Sequence, residues 1–149
     1  MYLNSLFVYG TLLPGLKNYK RFIEPHEHKI YQARLKGVMY LVPGDGYPVV
    51  LDGEGEVKGV LFEARDLKFI LPEIDDIEKY TDVESQSLLV REIRDVELLE
   101  SGKTVKAHVY MWPPAKADWL KKNAEVIADG DWARVLQEKQ EKNKAYFMP

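Results

Sequence analysis

Residues 7–15 read Phe7-Val8-Tyr9-Gly10-Thr11-Leu12-Leu13-Pro14-Gly15, and the way this stretch folds decides where the remaining chain must go. The run Ser5-Leu6-Phe7-Val8 has the composition of a buried strand, and it stops at Tyr9-Gly10. Gly10, Thr11 and the Pro14-Gly15 pair then break the chain before the first helical pattern, Leu16–Phe22. A tight turn needs one glycine. Several successive backbone N–H groups facing one way form a cradle for a small anion or a developing oxyanion, which is the second reading of this loop. Gly10 admits a ligand close to the main chain because it has no side chain. The GxxxxGK[ST] pattern is absent, which excludes a nucleotide P-loop.

Outward from this loop, strand-like runs bounded by Gly, Pro or Asp recur at Leu6–Tyr9, Lys36–Leu41, Pro48–Leu51, Glu56–Glu63, Leu88–Glu97 and Val105–Trp112. Between two of them, Pro43-Gly44-Asp45-Gly46-Tyr47-Pro48 carries turn chemistry at nearly every position. Asp66 is placed to cap a helix over 67–80, where Leu67, Ile70, Leu71, Ile74 and Ile77 make an apolar stripe. Pro72 lies within that stripe, so the helix either kinks or restarts there. Glu78 falls at its C-terminal end. After Trp112-Pro113-Pro114, residues 117–127 and 131–144 read as two helices separated by Asp129-Gly130, the second strongly charged. The strands stand too close together for repeated βαβ units. The expected class is α+β, a small mixed barrel-like sheet with flanking helices.

The 149 residues suit one domain spanning 1–149, with 115–149 as a helical extension packed on it. Net charge is −3 and the basic residues are scattered, so no face suits nucleic acid. No apolar run reaches the roughly 18–20 residues of a membrane helix. Met1–Gly10 lacks the basic flank of a signal peptide, which makes the cytoplasm the expected location. The absence of cysteine excludes disulfides, thiol nucleophiles and thiolate metal sites. With only His26, His28 and His108 present, a three-histidine centre would need all of them, and no metal or cofactor is expected.

Tyr9-Gly10-Thr11-Leu12 resembles the signature loop of the γ-glutamylcyclotransferase-like superfamily, which includes γ-glutamylamine cyclotransferases and the AIG2-like proteins. Six further landmarks follow in the family's order. They are Leu13–Asn18, Gly46-Tyr47-Pro48, the strand Gly55–Ala64, Ile74–Tyr80 at the Leu-Asp-x-x-Glu-Gly element, Val90–Ile93, and Ala107–Trp112. Gly130-Asp131-Trp132 is similar to a late element of bacterial members.

The resemblance implies an intramolecular reaction. The free α-amine of a γ-glutamyl group attacks its own γ-carbonyl, 5-oxoproline closes and the attached amine leaves. It also implies that Glu78 is the general acid/base, and it makes Tyr9, Gly10, Thr11, Leu12 and Tyr110 the substrate-binding set. The amides of Gly10, Thr11 and Leu12 become the oxyanion donors. These residue types suit the chemistry. One carboxylate between the attacking and leaving nitrogens serves both proton transfers, and ring closure needs neither metal nor covalent intermediate. The partner implied is a small γ-glutamyl compound.

Each of these residues also has a plainer reading. Glu78 would be a solvated helix end, Tyr110 a core tyrosine, and Tyr47 and Pro48 simple turn residues. Glu84, and less so Glu73, compete with Glu78. Two positions depart from the family pattern: Lys79 stands where glycine usually follows the Glu, and Val90 stands where tyrosine usually precedes the Arg. Tyr80 is a candidate to supply the missing ring. A non-catalytic module that binds a small anion or γ-glutamyl ligand on the same scaffold is the alternative function.

Overall fold

A computed structural model describes residues 3–44, 46–80 and 88–147, the side chains of 143–147 excepted. The strands are β1 (Ser5–Val8), β2 (Lys29–Leu41), β3 (Pro48–Glu63), β4 (Val90–Leu98), β5 (Thr104–Met111) and β6 (Glu125–Ile127). The helices are α1 (Lys17–Phe22), α2 (Leu67–Ile77), α3 (Ala117–Asn123) and α4 (Trp132–Phe147). The sheet order is β3-β1-β5-β4-β2-β6, and β3 also pairs with β2. That last pairing closes β1–β5 into a five-stranded mixed barrel with β6 added on β2. All ladders are antiparallel except β1 with β5.

Period-two alternation sorts the strands into two apolar layers. Phe7, Leu35, Val57, Leu61, Val96 and Val109 are among the side chains that fill the barrel from all five of its strands. Leu6, Val8, Val49, Phe62 and Trp112 face outward and are covered by Ile70, Leu71 and Ile74 of α2 and by Leu120 of α3. Phe7 and Leu61 are each 1% exposed, and removal from water at each site stabilises the fold by about 2 kcal/mol. Trp132, at the start of α4, is buried with the barrel-filling set.

Several boundaries differ from the sequence expectation. β2 starts at Lys29 and not at Lys36. Its first half is a half-buried ladder residue set whose charged and polar positions hide the alternation. The two runs 48–51 and 56–63 form one strand, β3, and its register against β2 slips between Lys36 and Val38. Residues 125–127 are a strand and not a helix tail, because Met39–Leu41 offer them an open edge. Asp66 precedes α2 without a side-chain capping bond. Pro72 neither ends nor restarts α2, which runs through it.

The barrel mouth is where three chain segments meet. β1 ends there at Tyr9-Gly10, β3 begins at Pro48, and β5 leaves through Trp112, whose N–H donates to the Val50 carbonyl at 2.9 Å. α2 ends against the same place.

Candidate active site

The turn after β1 is closed by the Leu13 N–H, which donates to the Gly10 carbonyl at 3.0 Å, so Thr11 and Leu12 take its central positions. Among the described residues, the N–H groups of Gly10, Thr11 and Leu12 have no hydrogen-bond acceptor. Gly10 faces the opposite wall closely, since a Cβ there would stand 2.7 Å from Pro48 Cγ. A side chain at this position would fill the gap that the loop leaves open.

Phe7–Leu12, Tyr47, Pro48, Glu78, Leu89 and Tyr110 line one cleft of about 380 Å³, its open mouth included. It holds all six residues assigned to the site from sequence. The carboxylate has come from 66 residues beyond the loop (78 minus 12) because α2 packs its Leu67, Ile70, Leu71 and Ile74 face on the barrel wall. Glu78 is the residue after the last helical position, and its N–H donates to the Ile74 carbonyl at 2.9 Å. The chain then reverses at Lys79, which has φ 54° in the left-handed region. Tyr80 N–H donates to Asp75 C=O at 2.9 Å and Lys79 N–H to Asp76 C=O at 3.3 Å, the bond pair of a Schellman end. The position where the family carries glycine therefore has a glycine-type backbone with lysine on it.

Electrostatics single out Glu78. Its carboxyl is pushed from 4.5 up to about 7, and burial is the cause. Burial also drives the Tyr9 and Tyr110 hydroxyls well above the usual phenol range, and the nearby Glu78 charge adds to both shifts. Tyr9 Oη donates to the Tyr110 carbonyl at 2.6 Å, and Tyr110 Oη donates to Asp75 Oδ1 at 2.6 Å. Arg91 Nε stands 3.0 Å from the same Asp75 oxygen. This pair is not aligned as a hydrogen bond, and among the described residues the buried Nε has no acceptor.

Tyr80 does not line the cleft: its ring lies under the Arg91 guanidinium, 5.5 Å from centroid to Cζ. Val90 points into the barrel filling. Glu73 is exposed on α2, and Glu84 lies outside the described residues. Tyr47 and Pro48 are cleft walls. Sequence reading passed over Leu89, another wall, and Asp75, although its three-residue spacing from Glu78 on a helix puts the two on one face. His28 is drawn into packing, with Nδ1 donating to the His26 carbonyl at 2.6 Å and Nε2 3.1 Å from the Tyr19 hydroxyl. Among the described residues, no group of three or more His, Asp or Glu is arranged to hold a metal ion, and no helix is long and apolar enough to cross a membrane.

Comparison with known proteins adds a family. The family model described as gamma-glutamyl cyclotransferase, AIG2-like, matches residues 6–134. No match was found among curated proteins. Among solved structures, an AIG2-like protein of Mus musculus is 24% identical with a TM-score of 0.62, the match covering 80% of this chain and 84% of that one. YkqA of Bacillus subtilis is 24% identical with a TM-score of 0.66, covering 94% of this chain but 43% of the larger YkqA. A protein of Arabidopsis thaliana is 21% identical with a TM-score of 0.62, over 96% of this chain and 79% of that one. At these identities the structural likeness speaks for the shared fold.

Proposed function

Because the chain belongs to the gamma-glutamyl cyclotransferase, AIG2-like family, we propose that it is an enzyme releasing 5-oxoproline and a free amine from a γ-glutamyl amine or related γ-glutamyl compound. Glu78 takes a proton from the α-amino group, whose nitrogen attacks the γ-carbonyl carbon, and a new C–N bond closes the five-membered ring. The negative charge that forms on the carbonyl oxygen is met by the N–H groups of Gly10, Thr11 and Leu12. As the tetrahedral species collapses, the original amide C–N bond breaks and Glu78 returns the proton to the departing amine.

One observation carries this reading: a carboxyl pushed up to about 7 lines the same cleft as three backbone donors that find no acceptor among the described residues. A carboxyl poised there is half ionised near neutrality, so it both accepts and gives back a proton without a large penalty. Ring closure is intramolecular, so the site has only to fold the substrate and manage its protons and charge. The test is incubation with a panel of γ-glutamyl amines and γ-glutamyl dipeptides while 5-oxoproline and free amine are measured. Equimolar release of both from at least one compound is the expected result. Saturable binding across the panel with no product would leave a binding module in place of an enzyme.

A further inference from the structure

We propose that the Tyr9 and Tyr110 phenol oxygens form, with the Glu78 carboxyl, an acceptor-only subsite for the substrate's α-amino group, and that Asp75 is the positioning residue that sets its polarity. The inference rests on the proposed reaction and deepens it.

A hydroxyl has one proton and two lone pairs, so what it offers a ligand depends on where its proton already points. Tyr9 spends its proton on the Tyr110 carbonyl at 2.6 Å, an acceptor fixed in the β5 backbone. Tyr110 spends its own on Asp75 Oδ1, also at 2.6 Å. A carboxylate only accepts, so Asp75 holds the Tyr110 proton on the α2 side. The Arg91 guanidinium, 3.0 Å from that same oxygen, is its counter-ion. Arg91 is itself held by the Tyr80 ring and by His108 Nδ1, 3.4 Å from its Nη1. Burial, then Arg91, lowers the affinity of His108 for a proton, which leaves it a neutral neighbour to the guanidinium.

With both protons committed, what Tyr9 and Tyr110 have left to offer the cleft is lone pairs. Both residues line it together with Glu78, whose charge raises the proton affinity of both phenols. The two sides of the cleft therefore have opposite polarity: main-chain donors from Gly10 to Leu12, acceptors from Tyr9, Tyr110 and Glu78. A γ-glutamyl head has matching ends, a carbonyl oxygen that becomes negative and an amino group that carries the protons. The arrangement admits the substrate in one direction only, with the nitrogen nucleophile beside its base.

The test is binding to the full chain, followed by NMR titration at pH 5.5, where protonated Glu78 holds turnover down and the two phenol oxygens are the acceptors under test. Two probes are compared: γ-L-glutamylethylamide, and N-ethylglutaramate, which is the same molecule without the α-amino group. The unaltered protein is expected to prefer the amino compound by about tenfold or more, the worth of a hydrogen bond to a charged group. Tyr110→Phe removes one acceptor. Asp75→Ala frees the Tyr110 proton to turn into the cleft. Each is expected to cut the preference about fivefold to tenfold while N-ethylglutaramate affinity stays within about twofold. Asp75→Asn, which keeps an acceptor oxygen, retains most of the preference. Should Asp75→Ala fail to fold, Tyr110→Phe decides alone, because the aromatic packing survives. Equal weakening of both probes, or an undiminished preference in Tyr110→Phe, overturns the subsite and leaves the proposed reaction standing. Failure of the unaltered protein to bind either probe overturns both.

Discussion

Glu78 is a half-buried acid, and its elevated proton affinity bears on catalysis and stability in opposite senses. Glu78→Gln keeps the shape but removes the proton carrier, and 5-oxoproline release is expected to fall by about 10²–10⁴-fold in a turnover assay. In the unaltered protein the base form appears as pH rises through about 7, so kcat/KM for the proposed reaction is expected to climb across that region. Stability runs the other way. The folded chain holds the Glu78 proton up to about 7, whereas the ordinary value is 4.5, so between these values the folded state binds more protons than the unfolded one. The contribution is fully present below about pH 4.5 and is lost as pH rises through about 7. It amounts to about 3–3.5 kcal/mol at most. Glu78→Gln is therefore expected to raise the melting temperature at pH 8 and to leave it nearly unchanged at pH 4.5. A pH-independent effect of the substitution on melting would contradict a half-buried Glu78 that holds its proton up to about 7.

The end of α2 is an element that works against its own sequence. Its Schellman turn asks for a left-handed residue, and Lys79 supplies one at φ 54°. A side chain in that region costs about 1 kcal/mol relative to glycine. Lys79→Gly is expected to stabilise the fold by about 0.5–1 kcal/mol, seen as a higher urea midpoint with an unchanged slope. The need for this turn was legible from the family pattern; that the chain would make it with lysine was not, because propensity argues against it. β6 shows the same limit from the other side. Ala124-Glu125-Val126-Ile127 continues a helical pattern in the sequence, and only the open Met39–Leu41 edge draws it into a strand. α2 itself, with its apolar stripe, was plain, since one face of a helix is a local property.

At the scale of the molecule, the small mixed barrel-like sheet expected from the sequence is what forms, whereas the early start of β2 at Lys29 and the continuity of β3 were hidden by charged and glycine positions that break the alternation. Closure depends on β3 pairing with both β1 and β2, a long-range choice that no local window contains. The candidate site divides likewise. The Gly10 loop, Glu78 and Tyr110 were named by motif and line one cleft, but the Tyr110–Asp75–Arg91 chain joins three elements and emerges only when they pack. Trp132 ties α4 to this closed body by adding its ring to the barrel filling. Trp132→Ala is expected to cost about 3–5 kcal/mol, measured by chemical denaturation, as truncation of a large buried side chain does. β5, residues 104–111, runs alongside β1 and supplies Tyr110, which bonds to Tyr9 across 101 positions of chain. During synthesis on the ribosome, the opening loop emerges long before its neighbour has been translated. The nascent chain thus holds Tyr9 and its exposed amides without their partner strand, and a product terminated before β5 gains no working cleft, however much of the chain it contains. Slow, late maturation of activity during refolding is the corresponding signature of so distant a pairing.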